Sequence, residues 1–300
     1  MNTEVHNLWS VSIIVVNHNA GFLLSECVRA ALDQAREVIV IDNASTDLSI
    51  QKLIHYFSAE SRLNLIVSSK NSGFAAGCNK GLNAATQPYI LFLNPDCMLQ
   101  SGTLKHLVQA LESDSTIGMV GGYLTNPDGS EQGGGRRAIP SPWRAFVRAF
   151  GLYHLEKYGP KIFFDFHLHK QPLPQESIEV EAISGALMLV RREAIEDVGV
   201  WDEGYFLHCE DLDWCMRFKQ KNWKIVFVPN APVTHFQGTC SRGRPFFVAW
   251  HKHKSMLRFY QKFFRQQYPS AMMGLVAIGI WFRFGVTVAF HAVKQLIARH

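Results

Sequence analysis

Strand-like and helix-like segments alternate along residues 11–125, and few folds accommodate this order. Short apolar, β-branched runs are separated by stretches whose apolar residues recur every three or four positions. The predicted strands are Val11–Val16, Glu37–Ile41, Leu63–Ser68, Tyr89–Leu93 and Ile117–Tyr123, and the predicted helices are Leu23–Ala35, Ser49–Ala59, Gly77–Ala85 and Gly102–Glu112. Strands joined by helices in this way predict an α/β fold with a doubly wound, mainly parallel sheet.

Two of the predicted strands end at acidic residues. Tyr89–Leu93 runs into Asn94-Pro95-Asp96, where proline stops the strand, and Glu37–Ile41 runs into Asp42. Ligands of open α/β sheets bind beyond the carboxyl ends of the strands. Asp96 is therefore placed to hold a divalent metal against a diphosphate, and Asp42 to accept a hydrogen bond from a base or a ribose. A helix cap at Asp96 and a turn-forming role at Asp42 remain open alternatives.

Residues 71–81, NSGFAAGCNKG, place Gly73 and Gly77 between a strand and a helix. Glycines there let the backbone approach a ligand that carries phosphate, and a helix N-terminus favours negative charge. The segment matches neither the GxGxxG pattern nor the P-loop pattern, so the classical dinucleotide and Walker sites lose support.

The densest group of acids lies in residues 201–218, WDEGYFLHCEDLDWCMRF. Acids beside apolar rings are plausible general bases, because burial and like-charged neighbours raise a carboxyl pKa toward neutrality. The alternative is that these acids are solvated and have no catalytic role. Further along, His235 follows a strand signal and is placed either to ligate a metal together with Asp96 or to serve a structural role.

The C-terminal region differs from the rest in charge. No Asp or Glu follows Asp213, whereas 14 of the 30 Lys and Arg residues lie beyond it. Residues 246–264 interleave aromatic and basic side chains at helical spacing, which predicts a helix that either lies on an anionic membrane or packs on the protein's own core. Residues 271–293 are largely apolar but contain Arg283, which favours an in-plane or re-entrant membrane segment over a simple span. A buried packing helix is the alternative.

These patterns predict two parts, a catalytic domain over residues 1–245 and a helical extension over residues 246–300. The six cysteines form no CxxC pair and the first ten residues have no apolar core, so we expect reduced thiols and no secretory signal. The predicted location is the cytoplasmic side of the inner or plasma membrane, with peripheral or re-entrant attachment. The stretch 127–178, which includes Gly133-Gly134-Gly135 before Arg136-Arg137, is either a loop that closes over substrates or a plain solvent loop.

The ordered motifs SIIVVNHNA, DNASTD, NSGFAAGCN, LFLNPD, SGALMLVRR, GYFLHCEDLDWCMR and HFQGTCS resemble those of the family 2 glycosyltransferases, over about residues 11–241. The resemblance is greatest to bacterial rhamnosyltransferase-like enzymes of cell-surface polysaccharide assembly. It implies a GT-A fold and a donor that is a nucleotide-diphosphate sugar.

The resemblance also implies roles for individual residues. Positions beside the nucleotide and its phosphates would be Asn17, Asn19, Asp42, Asn71, Gly73 and Asn79. Asp96 and His235 would bind Mg²⁺ or Mn²⁺, and Asp211, next to Glu210, would be the catalytic base. This chain departs from the family at Asn94, which stands where the metal motif has its first aspartate, so the site would carry less negative charge.

Together these patterns predict an inverting, metal-dependent glycosyltransferase. It would move a sugar, for which L-rhamnose from dTDP-rhamnose is the candidate, onto a glycan or polyprenyl-linked acceptor at an anionic inner-leaflet membrane. A single carboxylate base without a second, nucleophilic carboxylate favours inversion. A non-catalytic nucleotide-sugar-binding or scaffold protein is the first alternative. A nucleic-acid-binding protein is the second, and residues 271–293 are too apolar for a solvated binding arm, so we expect no nucleic acid partner.

Overall fold

A computed structural model describes residues 8–238 and 244–297 of the chain. The N-terminal segment before residue 8, Cys240 with the end of the HFQGTCS motif, and the last three residues lie outside this description. Within it, the five described cysteines form no disulfide with one another.

The elements follow one another in the predicted alternating order. The strands are β1 (Trp9–Asn17), β2 (Ala35–Asp42), β3 (Leu63–Val67), β4 (Tyr89–Leu93), β5 (Cys97–Leu99), β6 (Ile117–Thr125), β7 (Arg136–Arg137), β8 (Ile178–Glu179), β9 (Ala182–Ile183), β10 (Leu187–Arg191) and β11 (Lys224–His235). The helices are α1 (Leu23–Leu32), α2 (Ser49–Phe57), α3 (Phe74–Ala84), α4 (Thr103–Glu112), α5 (Pro142–Ala149), α6 (Arg192–Val198), α7 (Glu210–Gln220), α8 (Pro245–Phe264) and α9 (Ser270–Ile297), with short 3₁₀ helices at Leu152–Tyr158 and Leu168–Lys170.

The central sheet has the strand order β3-β2-β1-β4-β10-β6-β11-β5, with β8 also paired to β11. Strands β1, β2, β3, β4, β6 and β11 share one direction, whereas β10, β5 and β8 run against them. This arrangement confirms the predicted α/β class and the mainly parallel sheet. The inner parallel strands β1, β2, β4 and β6 are mostly buried, which is why they read as largely apolar runs, whereas the edge strand β3 stays partly exposed.

Helices cover both faces of the sheet. On one face, α1 and α4 pack through residues such as Leu24 and Leu107 in one buried cluster. On the other face, α3, α6, α7 and the C-terminal part of α8 contribute to a second cluster that includes Trp201, Trp214 and Phe259. The sheet is therefore the middle layer, and its carboxyl-end edge stays open between the two helical layers.

Strand β10 lies antiparallel between β4 and β6, so Leu187 pairs with Leu93 and Val190 with Met119. Because β10 runs backwards, its N-terminal end lies at the same edge of the sheet as the carboxyl ends of its neighbours. Residues 184–186, which precede it, therefore lie beside the loops that follow β4. The regular run at residues 181–192 indicates a strand here, but no local signal indicates its direction.

Helices α8 and α9 form an antiparallel hairpin. The ring of Phe246 lies 6.3 Å from that of His291, and the ring of His253 lies 5.5 Å from that of Phe284, so the two chain directions are opposed. In the described part of the chain, α9 is the one helix long and apolar enough to cross a membrane by length and composition. Apart from Ile280, its side chains stay at least partly exposed.

Candidate active site

The carboxyl ends of the strands open into a cavity of about 340 Å³. Its walls come from loops after β1, β2, β3, β4 and β11, from the segment before β10, and from the start of α7 and of α8. Seven of the predicted site residues line it, namely Asn71, Gly73, Asn94, Asp96, Glu210, Asp211 and His235. The structure thus brings together residues that lie up to 164 positions apart in the sequence, from Asn71 to His235.

Asp96 and His235 meet because β5 doubles back after the Asn94-Pro95-Asp96 turn. β5 pairs antiparallel with the end of β11, which sets His235 opposite Cys97, and the Phe236 amide donates a 2.9 Å hydrogen bond to the Asp96 carbonyl. The Nε2 atom of His235 lies 3.1 Å from the Oδ1 atom of Asp96. Both residues line the cavity and are buried, at 5% exposure each.

Gln132 determines which nitrogen of His235 carries a proton. The Gln132 amide nitrogen donates to Asn126 Oδ1 at 3.1 Å, so its oxygen faces His235 Nδ1 at 2.6 Å, and Nδ1 must be the donor. The Nε2 lone pair of a neutral His235 would then point at a carboxylate oxygen of Asp96. Two acceptors in contact require a cation between or beside them, either a proton or a metal ion. A carboxylate and an imidazole oriented by a second-shell partner suit a divalent metal.

Cys97 is the third potential ligand near this pair, since its Sγ, an Asp96 oxygen and a His235 nitrogen lie within 4.8 Å of one another. Burial, and then the negative charge of Asp96, raise the pKa of the Cys97 thiol well above its usual range. The thiol instead donates to the Ala186 carbonyl at 3.6 Å. A soft thiolate suits Mg²⁺ or Mn²⁺ less well than a carboxylate does, so Asp96 and His235 are the pair that best fits these metals.

Helix α7 presents Glu210 and Asp211 in its first turn, after Cys209 in a left-handed conformation (φ 66°). Trp214 and Phe218, both fully buried, anchor the helix beneath them. Asp211 Oδ2 accepts a 3.1 Å hydrogen bond from the Gly185 amide and forms an ion pair with Arg137. The carboxylate is thus held in one orientation at the cavity wall.

Glu210 lies beside Asp211 in a less polar position. Burial and, secondly, the charge of Asp211 raise the pKa of Glu210 to about 8. Its Oε2 atom is buried and has no hydrogen-bond partner among the described residues. Glu210 is therefore protonated at neutral pH, so Asp211 is the member of the pair suited to accept a proton.

This difference predicts how the stability of a Glu210→Gln variant depends on pH. An exposed glutamate titrates near 4.5, whereas Glu210 in the folded protein titrates near 8. Between these values the folded state holds a proton that the unfolded state lacks, so the contribution of Glu210 is fully present below pH 4.5 and is lost as the pH rises through 8. Glutamine cannot ionise, so we expect the variant to gain in melting temperature relative to the wild type between about pH 5 and pH 9. A constant difference across this range, measured by differential scanning fluorimetry, would contradict the assignment.

Asn71 and Gly73 form the side of the cavity next to α3. The Asn71 side chain accepts a 2.9 Å hydrogen bond from the Gly73 amide, and Gly73 has φ 92°. The Gly73 carbonyl accepts from Asn43 Nδ2 at 2.8 Å, while the Phe74 amide donates to the Phe206 carbonyl at 3.0 Å. This side of the cavity therefore has a fixed backbone on which a ligand can rest.

A Gly73→Ala substitution tests how tightly this backbone is built. A Cβ atom at Gly73 would lie 2.6 Å from the Phe206 carbonyl oxygen, on a backbone that L-residues rarely adopt. We expect a loss of about 1–3 kcal/mol in unfolding free energy. Gly129→Ala is the matched control, because Gly129 has φ 83° but open space around a Cβ. Equal losses in urea unfolding of the two variants would show that the contact with Phe206 is unimportant.

Four predicted residues lie outside the cavity lining and bind other protein groups. Asn17, at the end of β1, donates to Asp42 Oδ1 at 3.1 Å and to Ser49 at 3.0 Å. Asn19 (φ 59°) accepts from the Thr46 amide at 2.7 Å. These bonds tie the loops after β1 and β2 together.

Asn79, the fourth of these residues, lies in α3 and bonds to the 201–203 segment. Its amide donates to the Trp201 carbonyl at 3.0 Å and to Glu203 at 2.8 Å. Its oxygen accepts from the Trp201 amide at 3.0 Å. This pairing holds α3 to the segment that leads into α7.

Sequence reasoning missed Gln132 and Asn43, and it placed Arg137 in a candidate closing loop without predicting its contact with Asp211. Gln132 orients His235, Arg137 pairs with Asp211, and Asn43 lines the cavity with its Oδ1 buried and unpartnered among the described atoms. Asn43 follows Asp42 at a strand end, a position that could have drawn attention to it. The other two lie in the irregular stretch after β6, where the sequence indicates only loops.

Known proteins are similar to this chain in sequence. The sequence profile of glycosyl transferase family 2 matches residues 12–199, and that of glycosyl transferase family group 2 matches residues 144–292. The N-acetylglucosaminyl-diphospho-decaprenol L-rhamnosyltransferase of Mycobacterium tuberculosis (strain CDC 1551 / Oshkosh) is 27% identical over 78% of this chain and 76% of its own. The rhamnosyltransferase WbbL of Escherichia coli (strain K12) is 25% identical over 75% of this chain and 83% of its own.

Solved structures show the same fold. GalNAc-T7 with UDP, GalNAc and Mn²⁺ aligns with a TM-score of 0.61 and 18% identity over 85% of this chain, which spans 48% of the GalNAc-T7 chain. The mannosyltransferase PcManGT of Pyrobaculum calidifontis, with GDP-Man and Mn²⁺, aligns with a TM-score of 0.57 and 16% identity over 99% of this chain and 83% of its own. The profile match covers more than half of the sequence, and the chain therefore belongs to glycosyl transferase family 2, as a glycosyltransferase similar to rhamnosyltransferases.

Proposed function

We propose that this glycosyltransferase transfers L-rhamnose from dTDP-rhamnose, with inversion at the anomeric carbon and with Mg²⁺ or Mn²⁺, to a glycan on a polyprenyl-linked, membrane-borne acceptor. One observation carries the proposal. A buried Asp96–His235 pair that calls for a cation opens into the same cavity as Asp211, a carboxylate oriented for proton transfer.

The residues suggest a division of labour in the reaction. A divalent ion held by Asp96 and His235 would stabilise the charge that develops on the departing diphosphate. Asn94 supplies a neutral acceptor beside it, so the donor's own phosphates must complete the coordination. Asn71 and Gly73 lie where the nucleotide side of the donor would rest.

Asp211 is proposed as the general base. An acceptor hydroxyl is a poor nucleophile near neutral pH, so removal of its proton by Asp211 as it attacks the anomeric carbon would lower the barrier. The Gly185 amide and Arg137 fix the direction in which the carboxylate points. One base and no nucleophilic carboxylate fit a single displacement, which inverts the configuration.

The relatives' names supply the substrate classes. The Mycobacterium tuberculosis relative is named as an L-rhamnosyltransferase acting on N-acetylglucosaminyl-diphospho-decaprenol, and the Escherichia coli relative as a rhamnosyltransferase. In our proposal residues 1–245 form the transferase domain, and residues 246–300 attach it to the anionic cytoplasmic face of the membrane. The apolar, mostly exposed surface of α9 supports this attachment.

A ligand screen by thermal shift tests the donor. The purified chain is melted with dTDP-, UDP- and GDP-sugars, each with Mn²⁺, with Mg²⁺ or with EDTA. We expect dTDP-rhamnose with a metal to stabilise the protein most, because a ligand that binds only the folded state raises the melting temperature by mass action. Greater stabilisation by another sugar nucleotide would overturn the donor assignment, and equal stabilisation in EDTA would overturn the metal requirement.

A Gln132→Ala variant tests the orientation of His235. Without its partner at Nδ1, the imidazole loses its fixed tautomer, and second-shell losses of this kind weaken metal binding by about 10–100-fold. We expect that loss for Mn²⁺ in the presence of the donor nucleotide, measured by electron paramagnetic resonance. Gln171→Ala, at an exposed position directly after the second 3₁₀ helix, is the control. Unchanged Mn²⁺ affinity in Gln132→Ala would argue against His235 as a ligand.

A further inference from the structure

Two cations near the active-site mouth, Lys252 on α8 and Arg283 on α9, have no acidic partner among the described residues. No Asp or Glu follows Asp213 in the sequence, so any acidic partner of a cation on α8 or α9 must come from Asp213 or from residues before it. Other cations of α8 do find one. Arg258 lies 2.9 Å from Asp202, and Lys262 lies 2.7 Å from the same residue. Lys254 on α8 and Lys294 on α9 also lack one among the described residues, so what distinguishes Lys252 and Arg283 is that these two cations lie close to each other and that Lys252 lies near His208 and Cys209, just before Glu210.

Lys252 lies on the face of α8 that continues the cavity wall. Val248, one turn earlier, lines the cavity, and Ser255, about one turn later, donates a 3.0 Å hydrogen bond to the Leu207 carbonyl. Residues four and three apart share one face of a helix, so Lys252 faces the loop at residues 206–209. That loop leads directly into Glu210 and Asp211.

Arg283 lies close to Lys252 on the neighbouring helix α9. The next residue, Phe284, contacts the rings of Trp250 (5.7 Å) and His253 (5.5 Å), which flank Lys252 along α8. Crowding by protein atoms and the positive charge of Arg283 lower the pKa of Lys252, as expected for two neighbouring cations without an anion between them. A diphosphate would relieve this repulsion.

The outer face of α9 is apolar beyond this cation pair. An exposed stripe with helical spacing runs along it, and it comprises Leu275, Ile278, Phe282, Val286, Phe290, Val293 and Ile297. Helical periodicity places Arg283 on the flank between this stripe and the side of α9 that packs on α8. The surface therefore changes from cationic to apolar within one helix width, moving away from the cavity.

We infer that Lys252 and Arg283 bind the diphosphate of a polyprenyl diphosphate acceptor, whose hydrocarbon chain continues along the apolar stripe of α9. An anion with an attached long apolar chain matches this order of charge and hydrophobicity, and guanidinium and ammonium groups are the usual protein partners of phosphates. The glycan attached to the diphosphate would then extend toward Asp211. This assignment rests on the proposed function, which supplies the acceptor class.

Vesicle binding by the full-length chain tests the assignment. Phosphatidylcholine vesicles carry either a polyprenyl diphosphate or phosphatidylglycerol at equal surface charge, and the ratio of the two association constants defines a preference. We expect the wild type to prefer the diphosphate vesicles, and Lys252→Gln with Arg283→Gln to lower the preference by about ten-fold or more, since two charge-assisted contacts are lost.

Lys254→Gln with Lys294→Gln is the matched control, because it removes the same charge from exposed positions on the same two helices. Any cationic helix loses affinity for anionic membranes when charge is removed, so only the preference, and not the affinity itself, reports the site. The control pair should leave the preference unchanged, and the charge-conserving Lys252→Arg with Arg283→Lys should largely restore it.

Three results would overturn the assignment: no preference in the wild type, an unchanged preference in Lys252→Gln with Arg283→Gln, or an equal loss in the control pair. Donor binding is measured on the same proteins without vesicles. A chain that keeps the diphosphate preference but binds no sugar nucleotide would contradict the proposed function and leave this site standing. A chain that binds the donor but shows no preference for the diphosphate vesicles would contradict this site and leave the proposed function standing.

Discussion

Replacing Asp211 with asparagine is expected to lower turnover by about 10²–10⁴-fold, the usual contribution of a positioned general base. Asparagine keeps the size of the side chain and can still accept from the Gly185 amide, but it cannot take a proton from the acceptor hydroxyl. In the proposed site the donor binds on the Asn71 and Asp96 sides of the cavity, so we expect its affinity to change little. Single-turnover kinetics for the chemical step and donor titration by thermal shift measure the two quantities separately.

The matched control for this variant is Asp197→Asn, which makes the same chemical change on α6, where Asp197 forms an exposed ion pair with Lys221. Wild-type turnover in the control shows that the loss belongs to the position and not to the substitution. A wild-type rate in Asp211→Asn itself would remove Asp211 from the role of base. A fall in donor affinity as large as the fall in rate would instead make Asp211 a donor-binding residue.

Asp96→Ala is expected to abolish the stimulation of turnover by Mg²⁺ or Mn²⁺ and to lower the rate by about 10²-fold or more, since stabilisation of the departing diphosphate is lost. The variant leaves His235 with its proton on Nδ1 and no anionic partner for a metal at Nε2. Rates measured across a metal titration, with Asp197→Ala as the control, check both effects. Persistent metal-stimulated turnover in Asp96→Ala would place the metal elsewhere.

The carboxyl ends of the parallel strands were predictable from local signals. The strand Tyr89–Leu93 has the predicted limits, because a fully apolar run between Pro88 and Asn94-Pro95 leaves no other choice. Asp96 and Asp211 were both identifiable as acids next to apolar segments, and the resemblance to one family placed them in a single site. Local chemistry and motif order were therefore enough for the fold class and for seven of the residues that line the cavity.

Contacts that depend on distant pairing could not be predicted in this way. β10 is antiparallel because the chain enters it at the edge of the sheet where its neighbours β4 and β6 end. β11 reaches His235 through a register shift between Val228 and Pro232. Gln132 and Arg137 act on residues that follow them by 103 and 74 positions. Neither has a distinctive neighbour in the sequence, so their roles arise only from tertiary packing.

The C-terminal extension was predictable from local signals only in part. The basic and aromatic pattern of residues 246–264 left membrane binding and core packing open, and α8 does pack on the core through Phe259 and Tyr260 while Phe246 and Trp250 stay exposed in part. Single-helix periodicity cannot assign both faces when one helix contacts a core on one side and a second helix on the other. The sequence pattern of α8 does not show that one of its faces packs on the antiparallel helix α9.

The anomeric configuration of the product tests the central claim most directly. The purified chain is incubated with dTDP-rhamnose, Mn²⁺ and a polyprenyl diphosphate that carries N-acetylglucosamine, and the new linkage is analysed by nuclear magnetic resonance. A product with the anomeric configuration opposite to that of the donor, absent in Asp211→Asn, is the predicted result. A product that retains the donor's configuration would contradict direct displacement with Asp211 as the base.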